Sequence, residues 1–139
     1  MIRNEIRKLM DHLSIRRRRN YSEKLRELNL HIGQDQLLCQ LWKEDGVTQN
    51  QLSERLNCEP PTIANMVKAM ENRGFIYRRR DSIDSRVNRV YLTPKGQQLK
   101  APVEEVWNEE QDKLLEGMSP DELLLLKKLL EKMTENMKH

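Results

Sequence analysis

The chain has 139 residues, 34% charged and 37% hydrophobic, and its 25 Lys and Arg against 22 Asp and Glu give a net charge of +3 at pH 7. One domain is expected, with apolar side chains held to narrow stripes and a thin core that a partner subunit completes. No secretory core or membrane span of ~20 apolar residues is present, two cysteines make no disulfide framework, and His12, His31 and His139 lack metal-ligand spacing, so a cytoplasmic protein without cofactor or membrane attachment is expected.

Only 5 Gly and 5 Pro interrupt a chain rich in Leu, Glu, Lys and Arg, which predicts mostly helix. Ile2, Ile6, Leu9 or Met10, and Leu13 recur at steps of three and four, the stripe of an amphipathic first helix that continues through Tyr21 and Leu25. A break at residues 29–32 precedes a short apolar helix with Leu37, Leu38, Leu41 and Trp42. Asp45-Gly46 ends it, with Gly46 suited to a left-handed cap.

Thr48-Gln49-Asn50-Gln51 forms a capping box that opens a helix carrying Leu52 and Leu56. Asn57-Cys58-Glu59 interrupts it before Pro60-Pro61, and proline in a first helical turn predicts that a second helix starts at once. Ile63, Val67 and Met70 supply its buried stripe, Thr62, Asn65 and Lys68 point away from it, and Gly74 stops it. Two short helices around a tight turn make a helix-turn-helix candidate.

After Gly74 the period changes to two. Residues 75–79 and 87–92 are β-prone runs around a polar loop, which predicts a hairpin carrying Arg78, Arg79, Arg80, Arg86 and Arg89. Behind a recognition-type helix such a ribbon is a wing. Thr93-Pro94 caps a further helix to about residue 116, with Pro102 kinking it or marking its true start. Gly117 closes it, and Ser119-Pro120-Asp121-Glu122 is a second capping box before a last helix with Leu123, Leu126, Leu129 or Leu130, Met133 and Met137.

Charge follows these divisions. Residues 1–20 hold 7 basic and 2 acidic side chains, residues 21–59 hold 4 and 7, residues 60–100 hold 9 and 3, and residues 101–139 hold 5 and 10. Such clustering focuses a field on a polyanion although the whole chain is nearly neutral.

The order of these elements resembles a MarR-family winged-helix transcriptional regulator over essentially the whole chain. The most specific motif is Asp84-Ser85-Arg86 followed by Val90-Tyr91-Leu92-Thr93-Pro94-Lys95-Gly96, similar to the family's wing signature. Glu71-Asn72-Arg73-Gly74-Phe75-Ile76 is similar to its passage from recognition helix to wing. The resemblance implies a mainly α fold with a small β wing: a winged helix-turn-helix domain at 32–93, and a helical dimerisation part formed by 1–31 and 94–139. It also implies a homodimer on double-stranded, palindromic DNA, and a small, often anionic or phenolic effector in the cleft between the two parts. Ile2, Ile6, Leu9, Leu115, Leu126, Leu130 and Met133 are the expected interface residues.

For the DNA contact, Thr62, Asn65 and Lys68 are expected at the major groove, where an Asn can bond adenine in bidentate fashion. Asn65 stands where the family often has arginine and Ala64 where it often has a hydroxyl, so no base preference carries over. Thr48 and Gln49 open a helix whose free amides favour phosphate, although capping alone accounts for Thr48 equally well. Arg86 is expected at the minor groove, Arg79 and Arg80 on phosphates, and Asp84 as a brace that pairs with Arg86 or Arg73. His12, Arg16, Tyr21 and Trp42 are the expected border of the effector cleft. Cys39 and Cys58 read as inert packing residues. A redox-responsive regulator using one of these cysteines, and a helical protein-interaction module without DNA binding, are the competing readings. Repression and activation both fit the sequence. No nucleophile, base or metal pattern argues for an enzyme.

Overall fold

No Gly or Pro occurs before residue 33, so the first helix runs unbroken through α1 (Ile2–Glu27). Asn29 stops it by turning left-handed at φ 61°. The Leu30 N–H then donates to Leu25 O and the Asn29 N–H to Arg26 O, both at 2.9 Å, which satisfies the last carbonyls and seats Leu25 and Leu30 together in the core. The computed structural model describes residues 1–138, and His139 lies outside the described residues. Among the described residues, no helix is long and apolar enough to cross a membrane.

α2 (Gln34–Lys43) buries Leu37, Leu38 and Leu41. Gly46 is left-handed at φ 80° as expected, but it does not cap this helix. Glu44 is already extended, and Gly46 instead turns the chain into β1 (Val47–Thr48), a two-residue strand too short to show a period in the sequence. α3 (Gln49–Leu56) starts on the expected capping box: Thr48 Oγ1 accepts the Gln51 N–H at 3.0 Å and Gln51 Oε1 accepts the Thr48 N–H at 2.9 Å. α4 (Pro60–Asn72) follows with proline in its first turn. It ends as α1 does, with Gly74 at φ 82° and the Phe75 N–H donating to Met70 O at 3.1 Å.

β2 (Ile76–Arg80) and β3 (Asn88–Leu92) form the hairpin, and β1 adds to the other edge of β3 in the antiparallel order β1-β3-β2. Ile76 pairs with Leu92, Arg78 with Val90 and Thr48 with Arg89. Alternation puts Ile76 and Val90 on the core face. The opposite face carries Tyr77 and Tyr91, stacked with centroids 5.4 Å apart.

The helix expected over 94–116 is two helices. α5 (Pro94–Gln98) ends at Leu99, and α6 (Lys100–Leu114) starts with Pro102 in its first turn, where a missing N–H costs nothing. The second capping box opens α7 (Pro120–Asn136) as expected, with Ser119 and Glu122 exchanging side-chain and backbone hydrogen bonds. The chain divides after Trp107 into two compact units. The first holds the buried apolar core, from Leu25 through Ile63, Val67 and Val90 to Val103. In the second, α7 buries none of its residues, and Leu124, Leu125, Leu129, Leu130 and Met133 are exposed.

Candidate nucleic-acid interface

α4 buries Ile63, Val67 and Met70, and a helix fixed on that stripe must turn positions 62, 65 and 68 outward. Thr62, Asn65 and Lys68 are all exposed. They form a polar row on the second helix of the helix-turn-helix. Thr48 and Gln49, half-buried at the start of α3, border a small recess of about 70 Å³ with Asn50, the loop residue Val87 and Asn88 at the start of β3. The capping box engages the Thr48 side chain as an acceptor, and its hydroxyl proton remains free to donate.

The hairpin is pinned to α4 and to itself by three carboxylates. Glu71, at the end of α4, accepts the Arg78 N–H and Nη2 at 3.0 Å each. Asp81 accepts Arg89 Nε at 2.6 Å, and Arg89 Nη1 also donates to Gly46 O at 2.8 Å. Asp84 accepts Arg86 Nε at 3.1 Å and Nη2 at 3.2 Å in a two-pronged pair. Exposed ion pairs add little to stability, about 0–1 kcal/mol each. Their effect here is to set direction, because each fixes one arginine relative to the ribbon. Arg79 and Arg80 are exposed, and among the described residues neither has a carboxylate within ion-pair distance. The Arg79 guanidinium lies 6.0 Å from the Tyr77 ring centroid.

Arg73 stands elsewhere than the expected brace. Its guanidinium donates to Asn29 O and lies 3.3 Å from His31 Nε2, so it ties the end of α4 to the turn after α1 and leaves Asp84 to Arg86 alone. The pairs of Arg78 with Glu71 and of Arg89 with Asp81 escape sequence reading. Nothing local distinguishes these arginines from their neighbours Arg79 and Arg80.

These pairs give the ribbon an acid limit. The Arg89 side chain holds the Asp81 carboxyl below its ordinary value, helped by the Asp84 and Ile83 amides. Arg86 does the same for Asp84, and Arg78 for Glu71. A carboxyl depressed by folding stabilises the fold above its unfolded pKa, about 4, and that contribution is lost as pH falls through the folded value. The hairpin is therefore expected to keep its pairing down to about pH 4 and to loosen below it. Carboxyl NMR titration should give Asp81 and Asp84 midpoints below about 3.9; midpoints at or above that value would mean the pairs do not persist in solution.

Apart from the ribbon, the first unit contains a cavity of about 460 Å³ lined by Ser14, Arg17, Arg18, Tyr21, Asp35 and Trp107, among others. Of the residues expected at an effector cleft, Tyr21 lines it. His12, Arg16 and Trp42 do not. At 3.6 residues per turn, Arg16 lies about 140° around the helix from Tyr21, whereas Ser14, Arg18, Tyr21 and Leu25 follow steps of three and four and share one face. Trp42 is engaged in packing: its Nε1 donates to Gly96 O at 3.2 Å, and its ring meets Trp107 edge-on with centroids 6.5 Å apart. Trp107 Nε1 donates to buried Asp35 at 3.0 Å. The Arg17 guanidinium lies 5.6 Å from the Tyr21 ring centroid. Cys39 and Cys58 are free thiols, both half-buried.

Comparison with known proteins agrees with this architecture. The model of the MarR family matches residues 30–87, from the end of α1 to the far side of the hairpin loop. A MarR transcriptional regulator from Methanosarcina mazei Go1 is 28% identical with a TM-score of 0.83, the match covering 96% of each chain. The transcriptional regulator SlyA is 25% identical with a TM-score of 0.83, over 94% of this chain and 92% of its own. MepR of S. aureus, solved in a complex with DNA, is 26% identical with a TM-score of 0.85, over 94% of this chain and 96% of its own. Residues 30–87 are thus similar to the MarR family, and nearly the whole chain shares the fold of solved winged helix-turn-helix transcriptional regulators of that kind.

Proposed function

We propose that the chain is a homodimeric repressor that binds a palindromic operator in the cytoplasm and is released by a small effector. The observation that carries this reading is the exposed row Thr62, Asn65 and Lys68 on a helix braced by Glu71 to a ribbon that exposes Arg79, Arg80 and Arg86. In this reading the α4 row meets base edges in the major groove. Thr48, Gln49, Arg79 and Arg80 meet phosphates, and Arg86, held in direction by Asp84, enters the minor groove.

Residues 32–93 form the DNA-binding part, and 1–31 with 94–139 form the dimerisation part. Exposed Ile2, Ile6, Leu9, Leu130 and Met133, with half-buried Leu115 and Leu126, supply apolar surface that a second copy would cover, at ~25 cal/mol per Å². The cavity beside Arg17, Arg18 and Tyr21 suits an anionic or phenolic effector, because guanidinium groups attract the charge and aromatic rings cover the apolar body.

Footprinting on DNA upstream of the protein's own coding region, at two salt concentrations, tests the reading. We expect protection of two half-sites about one helical turn apart that weakens steeply with salt. Arg86→Ala should weaken binding by about 1–3 kcal/mol with the dimer intact. Absence of protection at low salt would favour an interaction module that does not bind DNA, and unchanged affinity would remove Arg86 from the interface.

A further inference from the structure

The tip of the ribbon presents Ile83, whose branched aliphatic side chain is 95% exposed. Its projection is built into the loop. Asp81 Oδ2 accepts the Ile83 N–H at 3.1 Å and the Asp84 N–H at 3.0 Å, while Oδ1 of the same carboxylate holds Arg89. The Asp81 N–H donates to Val87 O at 2.8 Å and the Val87 N–H to Asp84 O at 3.0 Å, which closes the loop beneath residue 83. A chain fastened at both ends and at its centre cannot fold this side chain back onto the protein, so Ile83 stays in water unless something else covers it.

Charge at the tip is largely spent. Asp81 faces Arg89 and Asp84 faces Arg86, so the loop offers a duplex little net positive potential of its own, in contrast to Arg79 and Arg80 further down the strand. A tip of this composition needs a contribution that is not ionic to rest stably on DNA. We propose that Ile83 is a direct, apolar DNA contact, lying against the deoxyribose walls of the minor groove beside Arg86 and stabilising the complex by excluding water. The proposal rests on the DNA-binding reading above.

The full-length wild-type chain is used to select duplexes from a random pool, and the selected duplex is then titrated with wild type, Ile83→Ser, Ile83→Val and Arg80→Ala across roughly 50–200 mM salt. Ile83→Ser should melt at the wild-type temperature and bind about 3- to 10-fold more weakly at every salt concentration, as expected for losing half the burial of one such side chain. The slope of log affinity against log salt should match wild type. Ile83→Val should recover most of the loss, and Arg80→Ala should flatten the slope by about one. Affinity of Ile83→Ser equal to wild type, or a loss accompanied by a flattened slope, overturns the proposal. If wild type enriches no duplex, the DNA-binding reading itself falls, an outcome separate from a silent Ile83.

Discussion

Replacing Gly96 by alanine should destabilise the protein by about 3 kcal/mol or more, comparable to the worst over-packing of a core. The reason is space. A Cβ at this position would stand 2.0 Å from Phe75 O and 3.0 Å from its carbonyl carbon, with Leu92 Cδ2 at 3.2 Å. The obstructing atom is backbone, and it is already committed, since Phe75 O accepts the Thr93 N–H at 3.1 Å. Around it, Lys95 Nζ donates to Arg73 O at 2.9 Å and Trp42 Nε1 donates to Gly96 O. α5 is thus fastened onto the junction of α4 and β2, and a methyl group would lift it off and open the root of the wing. Thermal unfolding should show a drop of roughly 10 °C. Gly117→Ala is the control: unlike Gly96, it has a positive φ, at 82°, but a Cβ there meets nothing within 4 Å, so only the backbone strain of about 1 kcal/mol applies. Equal melting of the two variants would show that the close approach at Gly96 is relieved without cost.

Gly96 also shows what the sequence could convey. The Lys95-Gly96 pair was legible as part of a family signature, but its cause lies 21 positions upstream, in a carbonyl that no local pattern indicates. Features whose cause is local were legible. Both capping boxes, the helix opening at Pro60-Pro61 and the change to period two after Gly74 depend on residues within about four positions of one another, and all stand in the structure. Strand β1 was not legible, because two residues cannot show alternation and Val47 is a strand residue only by virtue of its partner Val90.

The same distinction governs the site. The exposed row of α4 follows from helical phase against Ile63, Val67 and Met70, so its residues could be named in advance. The arginines of the ribbon could be counted but not sorted. Arg78 and Arg89 are anchored by Glu71 and Asp81, and which arginines find carboxylates depends on the hairpin register and on the angle at which α4 ends. In the cavity, four consecutive arginines at 16–19 point in nearly every direction, and only the observed phase of α1 selects Arg17 and Arg18.

In the homodimer proposed above, a carboxylate at position 130 should abolish the contact between subunits and with it operator binding. α7 has an amphipathic pattern, yet none of its residues is buried within the chain, and Leu130 is 49% exposed beside Leu129 and Met133. A helix of this kind, on a chain whose first helix also exposes Ile2, Ile6 and Leu9, is stable in water when a second copy covers the stripe. In a two-fold interface each substitution occurs twice, and an unpaired buried carboxylate costs several kcal/mol. Leu130→Asp should therefore sediment as a monomer at micromolar concentration and lose operator affinity by about 100-fold or more, because one half-site alone lacks the second set of contacts. The core of the first unit contains no residue of α7, so its helix-turn-helix and ribbon should retain their chemical shifts while affinity falls. A Leu130→Asp protein that remains a dimer with wild-type affinity would place the contact between subunits on another face of the molecule.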